Sequence, residues 1–188
     1  MSLTVDQAEL WQRVAAFDVD GPAIESRAGA LSFVARLARE NGWGLAHAER
    51  VVVEYRRFVF LAVASGHAVT PSEQVDQAWH LHLVYTRSYW DELCAGVLRR
   101  PLHHGPTKGG PDEGERFDGQ YRATLASYAR LFDDDAPADI WPAPEVRFGS
   151  ELRWRRVWTD HAWVIAKGPA RALLAFVGAL GVVVALLA

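Results

Sequence analysis

The run from Ala172 to Ala188, ALLAFVGALGVVVALLA, carries no charge and no polar side chain. As a helix rising about 1.5 Å per residue it is about 26 Å long, slightly short of the ~30 Å hydrocarbon core of a bilayer. Lys167 and Arg171 precede it, and their long stems let the charged heads reach the interface while the helix begins a turn earlier. Trp154, Trp158 and Trp163 lie just upstream, where an interfacial aromatic belt would sit. The competing reading is a buried core helix, but such a helix usually keeps one polar stripe and this run has none. The sequence therefore predicts a single-pass transmembrane helix over 172–188. The preceding basic residues, Arg147, Arg153, Arg155, Arg156, Lys167 and Arg171, predict that the globular part lies on the cytoplasmic side of the cell membrane. No polar residue follows the run, which suits a tail anchor or a piece of a longer chain.

The rest of the chain reads as one helical domain. Hydrophobic residues make up 50% and charged residues 23%, a balance that supports a packed core. The single cysteine, Cys94, excludes an intrachain disulfide and any need for an oxidising compartment. A net charge of -3 gives no bulk electrostatic case for nucleic-acid binding. The basic stretch at 147–156 sits where membrane-proximal charges belong. The start, MSLTVDQAELWQ, lacks the basic and apolar regions of a secretory signal.

Apolar residues recur at helical spacing. Thr4-Val5-Asp6-Gln7 is a capping box that opens a helix with Leu10, Trp11, Val14 and Phe17 on one face. A second helix carries Ile24, Ala28, Leu31, Val34 and Leu37 and stops at Asn41-Gly42. A third spans Leu45 to Ala64, with Val51, Val52, Tyr55, Phe58, Val59 and Ala62 inward. Thr70-Pro71-Ser72-Glu73 predicts a helix start with Thr70 as cap and Pro71 at N1. A new helix or kink is expected at Ser88–Asp91, with Trp90, Leu93, Cys94, Val97 and Leu98 following until Pro101 breaks it. PLHHGPTKGGP at 101–111 is a loop, and a helix over 112–132 places Phe117, Tyr121, Leu125, Tyr128 and Phe132 on one face. DDDAPADIWPAPEVRFGS then covers or links. No segment alternates at period two for long enough to make a sheet. The expected fold is all-α: an orthogonal multi-helix bundle (1–135), an irregular basic juxtamembrane segment (136–171) and the transmembrane helix (172–188).

Histidines concentrate between residues 67 and 104, near Asp76 and Cys94. Such ligands suit zinc or another late first-row metal. His80 and His82 are two apart, about 200° around a helix, so both cannot face one ion. Asp76 and His80 are four apart and share a face. The candidate metal ligands are Asp76, His80, Cys94, His103 and His104, with His82 expected as a partly exposed helix residue. Asp76 could ligate directly or act as an acceptor that orients a histidine. The plainer alternatives are a helix-surface hydrogen bond for Asp76–His80, ordinary burial for Cys94 and loop docking for His103-His104. A Cys–His catalytic pair would need a depressed thiol pKa in an open pocket. HExxH, CxxC pairs, a phosphate-binding loop and a nucleophile elbow are all absent.

Over VDQAWHLHLVYTRSYWDELC…RPLHHGPT the chain resembles the glycine-rich-domain-containing proteins, helical proteins of bacteria and plants. Their pattern combines an Asp, a Trp-His, a Tyr, a Cys and a His-His before a Pro. Here those positions are Asp76, Trp79, His80, His82, Tyr89, Cys94, His103, His104 and Pro106. The likeness covers about residues 45–132. In that family the place of His82 is often taken by an aromatic or other residue. The resemblance implies a membrane segment or a Gly-rich tail beyond the domain; this chain has no Gly-rich tail, and the resemblance brings no activity with it.

Two functions fit the sequence. One is a membrane-tethered interaction or scaffold module, with a protein partner, whose His/Asp/Cys cluster organises the core. The other is a membrane-tethered zinc-type metalloprotein, with a metal-dependent hydrolase as its catalytic form. Nucleic acid is not an expected partner.

Overall fold

The computed structural model describes residues 3–21, 31–105 and 111–149. Among them are seven helices and no strand. We number them α1 (Val5–Ala15), α2 (Phe33–Asn41), α3 (Leu45–Ala64), α4 (Glu73–Val84), α5 (Ser88–Leu98), α6 (Pro111–Phe132) and α7 (Pro144–Arg147). The expectation of an all-helical domain therefore holds. The predicted transmembrane helix at 172–188 and its basic approach from 150 lie outside the described residues. Among the described residues no helix is long and apolar enough to cross a membrane.

Local chemistry explains most helix ends. The Thr4 side chain accepts from the Gln7 amide at 3.2 Å, and the Gln7 side chain accepts from the Thr4 amide at 3.0 Å, completing the capping box. Gly42 closes α2 at φ 67, a left-handed value that glycine adopts without strain. The second predicted helix is shorter at its start than the periodicity implied. Ser32 caps it by accepting from the Ala35 amide, and Leu31, before that cap, is exposed; Ile24 and Ala28 lie outside the described residues.

The predicted cap at Thr70 is corrected. Ser72 caps α4 instead, accepting from the Val75 amide at 3.2 Å. Thr70 is used elsewhere: its amide donates to Thr124 Oγ1 at 3.0 Å and its hydroxyl to Gln120 Oε1 at 3.1 Å. These bonds tie the α3–α4 connection to α6. The break before α5 falls at Tyr85, whose ψ of 61 leaves the helical region. Ser88 is no cap; its hydroxyl donates to the Val19 carbonyl at 3.0 Å. α5 is wound as a π-helix over Ser88–Leu98, a geometry that is rare and frequently found at functional sites.

The centre of the domain is α3, which packs against α1, α2, α4 and α6. Val51, Val52, Tyr55, Phe58, Val59, Phe60 and Leu61 are all buried, so this helix is covered on nearly every side. Each large apolar side chain buried in this way contributes about 1.5–3 kcal/mol. Glu54 on the same helix is also buried. Its carboxylate accepts from Tyr128 Oη at 3.0 Å, Trp141 Nε1 at 2.9 Å and Arg57 Nη1 at 3.3 Å, and Arg57 also donates to Tyr128 Oη. Burial and the adjacent Glu54 charge push Tyr128 up to about 12.

The compact unit runs on to Gly149. Ile140 and Trp141 are buried, so the stretch after Phe132 closes the core beside α3 and α6. Polar ties hold it there. Arg50 makes a bidentate pair with Asp139 at 2.7 and 2.8 Å, Gln74 donates to the Asp139 carbonyl at 2.6 Å, and Tyr121 donates to the Pro142 carbonyl at 2.8 Å. The short α7 follows, and Arg147 at its end pairs with Glu73 of α4 at 3.2 Å.

Candidate metal centre

The five candidate ligands separate in space. Asp76, His80 and His104 come together, each offering a ligand atom within 4.8 Å of the others. Asp76 and His80 stand on one face of α4, with Asp76 Oδ2 3.8 Å from His80 Nδ1. His104 arrives from the loop after α5 and places Nε2 2.9 Å from Asp76 Oδ1. Two ligands of a tetrahedral zinc, each about 2.0–2.2 Å from the ion, stand about 3.4 Å apart. The two Asp76 separations fall on either side of that value, each through a different carboxylate oxygen, and all three ligand atoms lie within 4.8 Å of one another, so side-chain rearrangement would be needed to seat an ion. The His104 N–H that donates to Asp76 is the proton an ion would displace, because a ligating nitrogen must be free of hydrogen.

Access is good. The side chains of Asp76 and His104 are 22% and 19% exposed, and that of His80 is 50% exposed. Asp76 and His104 also line a cleft of about 460 Å³ between α4, α6 and α7, a volume suited to a small molecule.

Trp79 and Tyr89 support the cluster from behind. Trp79 Nε1 donates to Tyr89 Oη at 2.9 Å, and Tyr89 Oη in turn donates to the Leu102 carbonyl. This chain of bonds joins α4, α5 and the loop two residues before His104. The Trp79 ring packs against His104 with centroids 4.4 Å apart, and His80 packs on the same imidazole at 4.4 Å. These contacts hold the loop against the Asp76–His80 face.

Cys94 is not in the cluster. It is buried on α5, and burial pushes its thiol pKa up. A raised pKa is the opposite of what a Cys–His nucleophile needs, and the thiol is not among the three side chains that converge. His103 lines the cleft but turns toward Trp90, with ring centroids 5.5 Å apart.

His82 corrects the sequence reading most sharply. It is fully buried, not partly exposed. Tyr55 Oη lies 2.8 Å from its Nδ1, and Ser88 Oγ lies 3.2 Å from its Nε2. The Ser88 hydroxyl is committed as a donor to Val19, so it accepts from His82 Nε2–H; Nδ1 then accepts from Tyr55. That is a neutral imidazole with both nitrogens satisfied. Burial pulls its pKa down to about 4. His82 faces the core on the side of α4 away from the cluster. Its burial was missed because a histidine on an apolar helix carries no local signal of its partners, here on α3 and α5.

Glu54 was also not singled out in the sequence. A lone acid inside the apolar run VVVEYRRFVF is the signal that could have found it, since a buried carboxylate needs donors.

Residues 33–123, just short of half the chain, match the UCP032817-like family, which has no assigned function. No curated protein and no solved structure matches the chain. The matched stretch contains the whole cluster and its supporting Trp79–Tyr89 bond.

Proposed function

We propose that this protein is a membrane-tethered zinc-binding domain whose centre is Asp76, His80 and His104. The observation that carries the reading is the convergence of three accessible donors beside a cleft. Two imidazoles and one carboxylate form a donor set that suits zinc. Three protein ligands leave a further position for water or substrate, the arrangement of a catalytic rather than a structural zinc. Hydrolysis is the reaction class such a centre fits, with the metal as Lewis acid and source of a nucleophilic water. On this reading the pattern that likens the chain to the glycine-rich-domain proteins is a metal-site signature, part ligand and part support.

The scaffold reading is favoured by one observation, the satisfied core network of His82, Tyr55 and Ser88. It makes different demands of His80. A cluster that organises the core would lose its fold on His80→Ala, whereas an exposed ligand would lose only the metal. The decisive experiment is metal analysis of the purified full chain in detergent after growth with zinc, alongside His80→Ala. One equivalent of zinc, lost in a folded variant, supports the proposal; less than a tenth of an equivalent overturns it. The tether rests on the uncharged run 172–188 and its Arg/Lys approach. Deleting that run should move the protein from the carbonate-resistant membrane fraction to the supernatant.

A further inference from the structure

We infer that the cleft beside the metal centre takes a small ligand bearing an oxyanion, phosphate or carboxylate, on an apolar body, with Arg147 as its principal protein contact. The inference rests on the metal-centre reading and names the ligand class of that site. The charged side chains lining the cleft are Asp76, Arg116 and Arg147. A divalent ion at Asp76, His80 and His104 would outweigh the single carboxylate, leaving the lining strongly positive. A positive cleft with low-dielectric walls concentrates anions.

The two arginines are placed to bind rather than merely to balance charge. The Arg147 side chain is only 19% exposed, and it pairs with Glu73 through Nη1 at 3.2 Å. Its Nε is buried and makes no hydrogen bond among the described residues, which leaves donor capacity for a bidentate oxyanion. Its guanidinium lies 5.1 Å from the Phe148 ring, and that of Arg116 lies 4.8 Å from the Phe117 ring. Both rings line the cleft, so each cation stands over an aromatic face of its wall. Together with Trp79, which also lines the cleft, those rings supply the apolar surface for the body of the ligand. Neither partner acid, Glu73 or Glu113, lines the cleft.

The test is calorimetric titration of the zinc-loaded full chain with phenyl phosphate, benzoate and benzyl alcohol, which share a ring and differ in the charged group. Metal content is measured on the same samples. Binding of either anion but not of the alcohol is expected, and the tighter anion identifies the head group. Arg147→Gln should weaken that anion at least about tenfold with the zinc content unchanged. Arg147→Lys, which keeps the charge and the Glu73 pair, should fall between the two; Arg116→Gln gives a second variant should Arg147→Gln fail to fold. A zinc-loaded protein that binds neither anion, binds the alcohol equally, or keeps full anion affinity in both glutamine variants overturns this inference and leaves the metal centre standing. Absence of zinc overturns the metal centre itself, and the metal assay tells the two failures apart.

Discussion

His82 Nδ1 accepts a hydrogen bond from Tyr55 at 2.8 Å inside the core, on the opposite side of α4 from the cleft. The other titratable group facing that imidazole is Tyr89, with ring centroids 5.2 Å apart, and burial pushes it up to about 12. Neither tyrosine is charged in the range where His82 titrates. The pKa of His82 is about 4 when folded, against 6.5 as its ordinary value. Below pH 6.5 the unfolded chain takes up a proton that the folded chain refuses. Stability is therefore full above about pH 6.5 and falls as the pH drops toward about 4, by on the order of 3 kcal/mol. Urea unfolding across that range, with chelator present to remove any metal contribution, should show the loss. A flat profile would contradict a neutral, buried His82.

The cluster predicts which substitutions remove metal. Loss of a residue that only orients a ligand typically costs about 10–100-fold in metal affinity, so Asp76→Asn and His104→Ala should each cost at least about 100-fold. Cys94→Ser and His103→Ala should leave the stoichiometry unchanged, because neither belongs to the converged set. Competition with a chromophoric chelator measures all four; a Cys94→Ser variant that loses its zinc would sink the three-ligand assignment.

Tyr89 should act on the metal without touching it. Tyr89→Phe removes the acceptor of Trp79 Nε1 and the donor to the Leu102 carbonyl. An unpaired buried N–H costs about 1–3 kcal/mol, and the loop carrying His104 loses its tie. The expected result is a lower melting temperature together with zinc affinity weakened about 10–100-fold. Lower stability with unchanged affinity would restrict Tyr89 to a packing role.

Glu54 should secure the segment that carries Arg147. Glu54→Ala leaves Trp141 Nε1, Tyr128 and Arg57 without their shared acceptor. Leaving buried donors without an acceptor costs about 1–3 kcal/mol each. Denaturation followed by tryptophan fluorescence should register that loss, and a change below about 1 kcal/mol would argue that water replaces the carboxylate.

Taken alone, the sequence determined what depends on neighbours a turn or two away. The Thr4–Gln7 box, the stop at Gly42, the span Leu45–Ala64 and the shared face of Asp76 and His80 all follow from helical period and capping chemistry, which act within a few residues. Tertiary structure alone decided the rest. It set His104, 28 residues from Asp76, rather than Cys94 beside Asp76 and His80, because the Trp79–Tyr89–Leu102 bonds hold the loop there while α5 turns the thiol into the core. It buried His82 against Tyr55, moved the α4 cap from Thr70 to Ser72 by engaging Thr70 with α6, and packed Trp141 onto Glu54. Each of these outcomes depends on which surfaces meet when helices distant in sequence pack, and periodicity within one helix carries no record of its partner.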